Sequence, residues 1–163
     1  MPEVISNTSP IQYLYQADRL DLLPALYEQL TVPEGVVAEL AAGRSAAVSL
    51  PEVESLPWVR VRPAPHERLL PLVTDLGRGE REVLALAAEI PDSLAILDDA
   101  LARHYARLLE ISFTGTLGIL LRAKEAGHLD LVGPTVRRLE ELGFRLDAGT
   151  RASILDLAGE GSV

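Results

Sequence analysis

The sequence contains no cysteine, which excludes disulfide bonds, thiolate metal sites and a cysteine nucleophile. Histidine is scarce as well, since it occurs only at His66, His104 and His128. A histidine-rich zinc site is therefore not expected, and any metal site has to be built from oxygen ligands. Aromatic residues make up only 4% of the chain, which leaves few rings for the base-stacking platforms of single-strand-binding proteins.

Long apolar runs are also absent. No segment approaches the roughly 18 apolar residues of a membrane span, and none is expected. The first residues, Met-Pro-Glu-Val, lack the basic and apolar segments of a signal peptide. We therefore expect a cytoplasmic protein.

Basic residues are in the minority, with 15 Lys and Arg against 24 Asp and Glu, for a net charge of −9. This balance disfavours non-specific binding to nucleic acid or anionic membranes, which depends on neutralising phosphate charge. It still allows a local basic strip beside an acidic pocket. The length of 163 residues and the hydrophobic content of 48% are typical of one globular domain rather than a disordered chain.

Several motifs of nucleotide-binding and hydrolytic folds are missing. No Gly-x4-Gly-Lys-Ser/Thr loop is present, no Gly-x-Gly-x-x-Gly follows the first predicted strand, and no Gly-x-Ser-x-Gly occurs. These absences disfavour P-loop enzymes, dinucleotide-binding domains and serine hydrolases. The only lysine, Lys124, lies inside a predicted helix, which disfavours a phosphate-receiver domain.

Short β-like runs alternate with helical patterns along the chain. Strands are predicted over residues 3–6, 30–32, 58–62, 94–97, 111–113 and 144–146. Helices are predicted over residues 11–15, 20–27, 34–42, 79–90, 100–109, 116–126, 134–142 and 152–158, and a loop over 43–57. This alternation predicts an α/β fold with a mostly parallel sheet and helices on both faces, whose functional site forms at the carboxyl ends of the strands.

Polar side chains directly follow two of the predicted strands. Asn7-Thr8-Ser9 comes after the first strand, and Asp98-Asp99 comes after strand 94–97. If both strands are central and parallel, the two groups share one edge of the sheet. Asn, Ser and Asp are also preferred helix caps, so capping explains either group equally well.

Glu80 is predicted to lie on the buried stripe of its helix. At about 100° per residue it is nearly in line with Leu84 and Ala87, whereas Glu82 and Glu89 are predicted on the solvated face. A carboxylate on the buried stripe is costly unless it is paired or bound to metal. The alternatives are a helix cap or an interaction with the helix dipole. Glu39, at the edge of another apolar helix face, is a weaker candidate, because a boundary glutamate explains it too.

Several carboxylates without histidine or cysteine suit a hard cation such as Mg²⁺ or Mn²⁺. Such a site performs phosphoryl chemistry by activating water and stabilising charge on the phosphate.

Taken together, five segments of the chain resemble a PIN-domain protein. They are Val4 to Pro10, Val36 to Leu40, Leu76 to Glu82, Ile96 to Asp99 with Ala102-Arg103, and Gly115 to Gly118. More narrowly, the chain is similar to a PIN-like branch related to VapC-type toxin ribonucleases. The resemblance covers roughly residues 3–146, and it implies a three-layer α/β/α fold, similar to flap endonucleases. We expect a PIN-like domain over residues 1–146, followed by a C-terminal helix or tail over 147–163.

The resemblance implies a Mg²⁺- or Mn²⁺-dependent ribonuclease, often the toxin of a toxin–antitoxin pair and often a homodimer. RNA and an antitoxin protein are then the expected partners. Carried over residue by residue, the catalytic acids fall on Glu80, Asp99, Asp98 and Glu39. The metal ligands implied are Asn7, Glu80, Asp99 and Asp98, and the substrate-binding residues are Thr8, Ser9, Arg103, Arg107 and Thr116.

Two features leave alternatives open. Arg103, His104 and Arg107 share one face of their helix, which predicts either a strip that contacts RNA phosphates or a solvated face. Asn7 stands where the family usually has aspartate, the central metal ligand. An amide carbonyl coordinates Mg²⁺ without contributing charge, so the site is weakened. The sequence therefore predicts either a metal-dependent ribonuclease or a catalytically weakened PIN scaffold that binds RNA or a partner protein.

Overall fold

The computed structural model describes residues 2–65 and 75–161. The strands in this part of the chain are β1 (Val4–Ser6), β2 (Leu30–Pro33), β3 (Val59–Arg62), β4 (Leu94–Ile96) and β5 (Ser112–Thr114). Its helices are α1 (Thr8–Gln16), α2 (Leu22–Tyr27), α3 (Glu34–Ser45), α4 (Arg78–Glu89), α5 (Ala100–Leu108), α6 (Thr116–Glu125), α7 (Gly133–Glu141) and α8 (Ala148–Leu157). A single 3-10 turn, Val53–Ser55, lies within the predicted loop.

The five strands form one sheet in the order β3-β2-β1-β4-β5, and every pair is parallel. Ile5 in the centre of β1 is level with Thr31 of β2 and Ala95 of β4. The predicted α/β/α fold with a mostly parallel sheet is confirmed. Because β1 and β4 are neighbours, their carboxyl ends lie side by side, and the backbone N–H of Asn7 donates to the carbonyl of Ile96 at 3.1 Å.

Apolar side chains from the sheet and from the helices meet in one continuous core, in which Ile5, Leu14, Leu84, Ile96 and Leu120 are almost fully buried. Helix α4 packs on β1, β2 and β4, and its neighbours are α3 and α5. Helix α6 contacts α1, α2 and α8. Helix α3 touches both α1 and α4, which places its side chains beside the carboxyl ends of the central strands.

The strand predicted over residues 144–146 is wrong. Gly143 adopts a positive φ of 101°, and the N–H of Phe144 donates back to the carbonyl of Leu139 at 2.9 Å, which closes α7. The ring of Phe144 then packs edge-on against Tyr13, with centroids 5.1 Å apart. Phe144 therefore packs against α1, and the segment does not extend the sheet.

Two helices are longer than the sequence predicts, α3 at its end and α8 at its start. Helix α3 continues to Ser45, into the predicted loop. Helix α8 begins at Ala148, before the predicted residue 152, because the Asp147 side chain accepts hydrogen bonds from the N–H and hydroxyl of Thr150 at 2.7 and 2.9 Å.

In residues 2–65 and 75–161, no helix combines the length and the apolar composition that crossing a bilayer requires.

The C-terminal segment is anchored by a partly buried ionic contact. Glu160 accepts hydrogen bonds from the Lys124 ammonium at 2.7 Å and from the N–H groups of Val132 and Gly133 at 2.8 and 2.9 Å. The same ammonium donates to the carbonyl of Ala158 at 2.6 Å. These bonds tie the end of α8 to α6 and to the start of α7. The predicted boundary between residues 146 and 147 stays a prediction.

This anchor makes stability depend on pH. Burial alone raises the pKa of Glu160, but the hydrogen bonds from Lys124, Val132 and Gly133 outweigh it and lower the pKa to about 2, from 4.5. Because the folded-state pKa is the lower one, the carboxylate stabilises the fold above about pH 4.5, and its contribution is lost as the pH falls toward 2. We expect Glu160→Gln to lose about 1–3 kcal/mol at pH 7 and to show a flatter acid profile.

Thermal denaturation between pH 7 and pH 2 measures both effects. Glu141→Gln is the matched control, because Glu141 pairs with Arg138 at the surface, where its side chain is 67% exposed. Equal losses for the two variants at pH 7 would show that the anchor does not stabilise the fold.

Candidate acidic site at the carboxyl edge of the sheet

Asn7 lies where β1 ends and α1 begins. It occupies the N-cap position of α1, but its side chain makes no capping hydrogen bond. The residue is only 4% exposed, and Oδ1 has no hydrogen-bond partner among the residues that the structure describes. An orphaned buried acceptor costs about 1–3 kcal/mol, so this oxygen is suited to a donor or a cation.

Glu39 comes from α3 and lies beside the same oxygen. The hydroxyl of Thr8 donates to its Oε1 at 2.6 Å. A Cβ at Gly79, in the first turn of α4, would lie 3.0 Å from Asn7 Oδ1 and closer still to Glu39 Oε1. Only glycine allows α4 to approach these two oxygens so closely, and the two acceptors therefore lie next to each other at the start of α4.

Glu80 contributes a second carboxylate from α4. Its Oε2 accepts a hydrogen bond from the N–H of Gly77 at 3.1 Å, so the capping alternative is also realised. Burial raises the pKa of Glu80, and the negative charges of Asp99 and Glu39 raise it further. The N–H of Gly77 and the amide of Asn7 offset part of this rise. Glu80 is therefore close enough to both carboxylates to be repelled by them, and a cation would relieve that repulsion.

The two adjacent aspartates have different contacts. Asp99 caps α5, with Oδ2 accepting from the N–H of Ala102 at 2.9 Å. Asp98 instead accepts from the N–H and the hydroxyl of Thr116 at 2.8 and 2.6 Å, and a guanidinium nitrogen of Arg103 lies 3.9 Å away. Burial raises the pKa of Asp98, while Thr116 and Arg103 act in the opposite direction. Asp98 therefore joins the end of β4 to the start of α6.

The donor set is compatible with a divalent cation. Within the described ranges, no three His, Cys, Asp or Glu side chains are close enough to form a metal-ligand group by themselves. However, Asn7 Oδ1 is an unpartnered oxygen among carboxylates. Magnesium in proteins takes oxygen ligands and typically binds only one or two carboxylates, with water and substrate phosphate completing its shell. The residues present fit such an ion.

The two arginines of the basic strip predicted on α5, Arg103 and Arg107, have different environments. Arg103 donates through Nε to the carbonyl of Leu97 at 2.8 Å, and its guanidinium lies 5.7 Å from the centre of the Phe113 ring. Arg107 lies 5.1 Å from the centre of the same ring and is exposed. Arg103 therefore supports the end of β4, whereas Arg107 presents a charge to solvent beside an aromatic ring.

The structure brings together five of the predicted residues, namely Asn7, Thr8, Glu39, Glu80 and Asp99. It places Asp98 with Thr116 and Arg103, and Ser9 in the first turn of α1.

Glu82 and Gly35 were missed by the sequence analysis. Glu82, predicted to be solvated, is only 9% exposed and accepts a hydrogen bond from the N–H of Gly35 at 2.8 Å. The prediction is wrong because α3 packs on the side of α4 that carries Glu82. Arg78, one turn before Glu82, was the only signal in the sequence for a paired carboxylate.

Comparison with known proteins identifies one family. A family model described as a PIN domain matches residues 3–160. Neither the curated proteins nor the solved structures contain a match to the chain.

Proposed function

Since the chain belongs to the PIN-domain family, which has a nuclease-type fold and is associated with RNA, we propose that it is a Mg²⁺- or Mn²⁺-dependent ribonuclease. The proposal is carried by one observation, the buried and unpartnered Oδ1 of Asn7 beside Glu39 and Glu80, where the charges of Glu39 and Asp99 also repel the Glu80 carboxylate. An arrangement of this kind is expensive in the metal-free fold and favourable around a divalent cation.

We assign the cation to the site formed by Asn7, Glu39, Glu80 and Asp99, in which Oδ1 of Asn7 and one or two of the three carboxylates would bind it directly. When bound, it supplies Lewis-acid polarisation of a phosphate oxygen and a water of lowered pKa. The protein's own part is to hold the ligand oxygens in place. Thr8 fixes one oxygen of Glu39, and the N–H of Ala102 fixes one oxygen of Asp99. The other oxygen of each carboxylate has no hydrogen-bond partner among the described residues and is available to the site.

In the proposed reaction an RNA phosphodiester is hydrolysed. The oxygen of a water molecule bonds to phosphorus, one P–O ester bond breaks, and the leaving ribose oxygen takes up a proton. Asp98 is assigned a positioning role in this scheme, because it holds the first turn of α6 against the end of β4 through Thr116. Its role as a metal ligand, implied by the family resemblance, stays a prediction.

A second candidate function is favoured by Asn7 itself. The neutral amide removes one negative charge from the ligand set, which weakens binding of a divalent cation and activation of water. In this alternative the chain is a PIN scaffold that binds RNA or a partner protein and cleaves slowly or not at all.

The experiment that separates the two functions is a calorimetric titration with Mn²⁺, run in parallel with cleavage of a labelled single-stranded RNA. Saturable heat together with cleavage supports the ribonuclease. RNA binding without cleavage supports the scaffold. Millimolar Mn²⁺ that produces neither heat nor cleavage contradicts the ribonuclease.

We further propose that the chain belongs to the VapC-related branch, acts as a toxin and forms a homodimer in the cytoplasm.

The acidic site would accept an arginine of an antitoxin, because guanidinium and carboxylate groups pair well. The gene neighbouring this one should then encode a small DNA-binding protein. Copurification of that protein with the chain, and the mass of the isolated chain by light scattering, test the two assemblies.

Arg107 is expected to contribute to RNA affinity through charge. Arg107→Ala should weaken binding of single-stranded RNA severalfold and lower the slope of log K against log salt by about one. A salt series of RNA-binding measurements by fluorescence anisotropy, with Mn²⁺ replaced by Ca²⁺ to limit cleavage, gives both numbers. Arg137→Ala, at an exposed arginine on α7, is the control. Equal slopes for wild type and Arg107→Ala would exclude a phosphate contact at this residue.

A further inference from the structure

We propose that Glu82, a residue outside the assigned ligand set, is a positioning residue that fixes the separation of α3 and α4, and thereby of Glu39 and Glu80. The inference rests on the proposed function, because the two glutamates it positions are assigned to the metal site.

Glu82 joins the two helices through a short, buried contact. Its Oε1 accepts a hydrogen bond from the N–H of Gly35 in the first turn of α3 at 2.8 Å. Its Oε2 accepts from Nε of Arg78, on its own helix, at 2.6 Å. Both oxygens are therefore engaged, and the negative charge lies at the positive end of the α3 dipole. These contacts make Glu82 a link between helices and not a metal ligand.

The helix contact has no spare room at this point. A Cβ at Gly35 would lie 2.5 Å from Oε2 of Glu82 and 2.7 Å from its carboxyl carbon. Any side chain at position 35 must therefore displace the carboxylate or push α3 away from α4. Since the φ of Gly35 is not positive, the close approach itself explains the glycine.

A second glutamate–glycine contact runs in the opposite direction between the same helices. Glu39 of α3 lies against Gly79 of α4, just as Glu82 of α4 lies against Gly35 of α3. Gly35 and Glu39 are four residues apart, and Gly79 and Glu82 are three apart, so each pair shares one helix face. The two contacts are therefore about one helical turn apart. Loosening the Glu82 contact must move Glu39 relative to Gly79 and Glu80.

The test uses two variants that disturb the same contact by different means. Glu82→Ala removes the carboxylate, and Gly35→Ala inserts a methyl group without removing any polar group. We expect each to weaken Mn²⁺ binding by about 10- to 100-fold in calorimetry, the range found when groups supporting metal ligands are removed. Glu82→Gln keeps an acceptor for the N–H of Gly35 and should restore most of the affinity. Arg78→Ala keeps the interhelical bond, and its affinity should stay within about threefold of wild type.

A second readout needs no metal. Because the sequence has no cysteine, spin labels can be attached specifically to cysteines introduced at the exposed positions Ala42 in α3 and Ala88 in α4. Double electron–electron resonance then measures the distance between the two labels. Glu82→Ala and Gly35→Ala should change or broaden this distance, whereas Arg78→Ala should leave it as in wild type. Circular dichroism shows that each variant compared is folded.

Unchanged Mn²⁺ affinity and unchanged label distance in both Glu82→Ala and Gly35→Ala would overturn the positioning role. If one of these variants fails to fold, the other decides. If wild-type protein binds no Mn²⁺, the proposed function fails instead, and the label distance alone then decides whether Glu82 sets the helix spacing.

Discussion

Replacing Asn7 by aspartate is expected to strengthen Mn²⁺ binding by about tenfold, or about 1.4 kcal/mol, and to raise the rate of RNA cleavage. The amide Oδ1 already lies buried among the carboxylates without a partner, so the substitution adds charge with almost no change in shape. In the metal-free protein the same charge should destabilise the fold, because the pKa of Glu80 is already raised by burial and by Asp99 and Glu39.

Calorimetry, a cleavage assay and thermal denaturation with and without Mn²⁺ measure the three effects of Asn7→Asp. The melting temperature should fall without metal and recover with it, because ligand binding stabilises the folded state. Asn7→Ala is the matched control, since it removes the oxygen and should weaken binding. A cleavage rate equal to or below that of wild type in Asn7→Asp, with the fold intact, would argue against a metal role for this position.

Glu80→Gln and Asp99→Asn are expected to abolish cleavage, with losses of about 100-fold or more, equivalent to about 2.7 kcal/mol of transition-state stabilisation. Each substitution keeps the shape and an acceptor oxygen. The hydrogen bonds to the N–H groups of Gly77 and Ala102 can therefore survive, and the fold should be retained. Glu80→Gln should also stabilise the metal-free protein, because burial and two nearby negative charges disfavour the ionised carboxyl in the folded state.

Single-turnover cleavage in saturating Mn²⁺ gives the rate losses, and thermal denaturation in a chelator gives the change in stability. Glu89→Gln provides the control on the same helix, because Glu89 is exposed near the end of α4. Near-native cleavage by both site variants would remove Glu80 and Asp99 from the site. A lower melting temperature for Glu80→Gln without metal would contradict the electrostatic account.

The sheet and the shared edge were predictable because local patterns decide them. Buried runs such as Leu94 to Ile96 alternate with amphipathic helices, and parallel strands place the residues that follow them at one edge. That rule predicts from the sequence alone that Asn7 and the Asp98-Asp99 pair lie at the same edge of the sheet. Glu80 was predictable from its helical phase, which aligned it with Leu84 on the buried stripe.

The remaining details depend on contacts between distant parts of the chain. The sequence does not distinguish the roles of Asp98 and Asp99, because moving the end of β4 by one residue would exchange the directions of their side chains. The structure distinguishes them, because Asp98 accepts hydrogen bonds from Thr116 in the first turn of α6. The position of Glu82 around α4 predicted a solvated side chain, because the sequence pattern shows only the helix face that carries Leu84 and Ala87. In the structure α3 covers the side of α4 that carries Glu82. The apolar pattern of residues 144–146 predicted a strand, but Phe144 packs against Tyr13 of α1, and the pattern alone does not identify that partner.

The contact between Lys124 and Glu160 also determines how the protein responds to chemical labelling. Lys124 is the only lysine of the sequence, and its ammonium is held by Glu160 and by the carbonyl of Ala158. Acylating this amine removes the charge that holds the end of α8. Reagents that couple proteins to surfaces or dyes through lysine therefore modify the C-terminal anchor itself, whereas labels attached through an introduced thiol leave it intact.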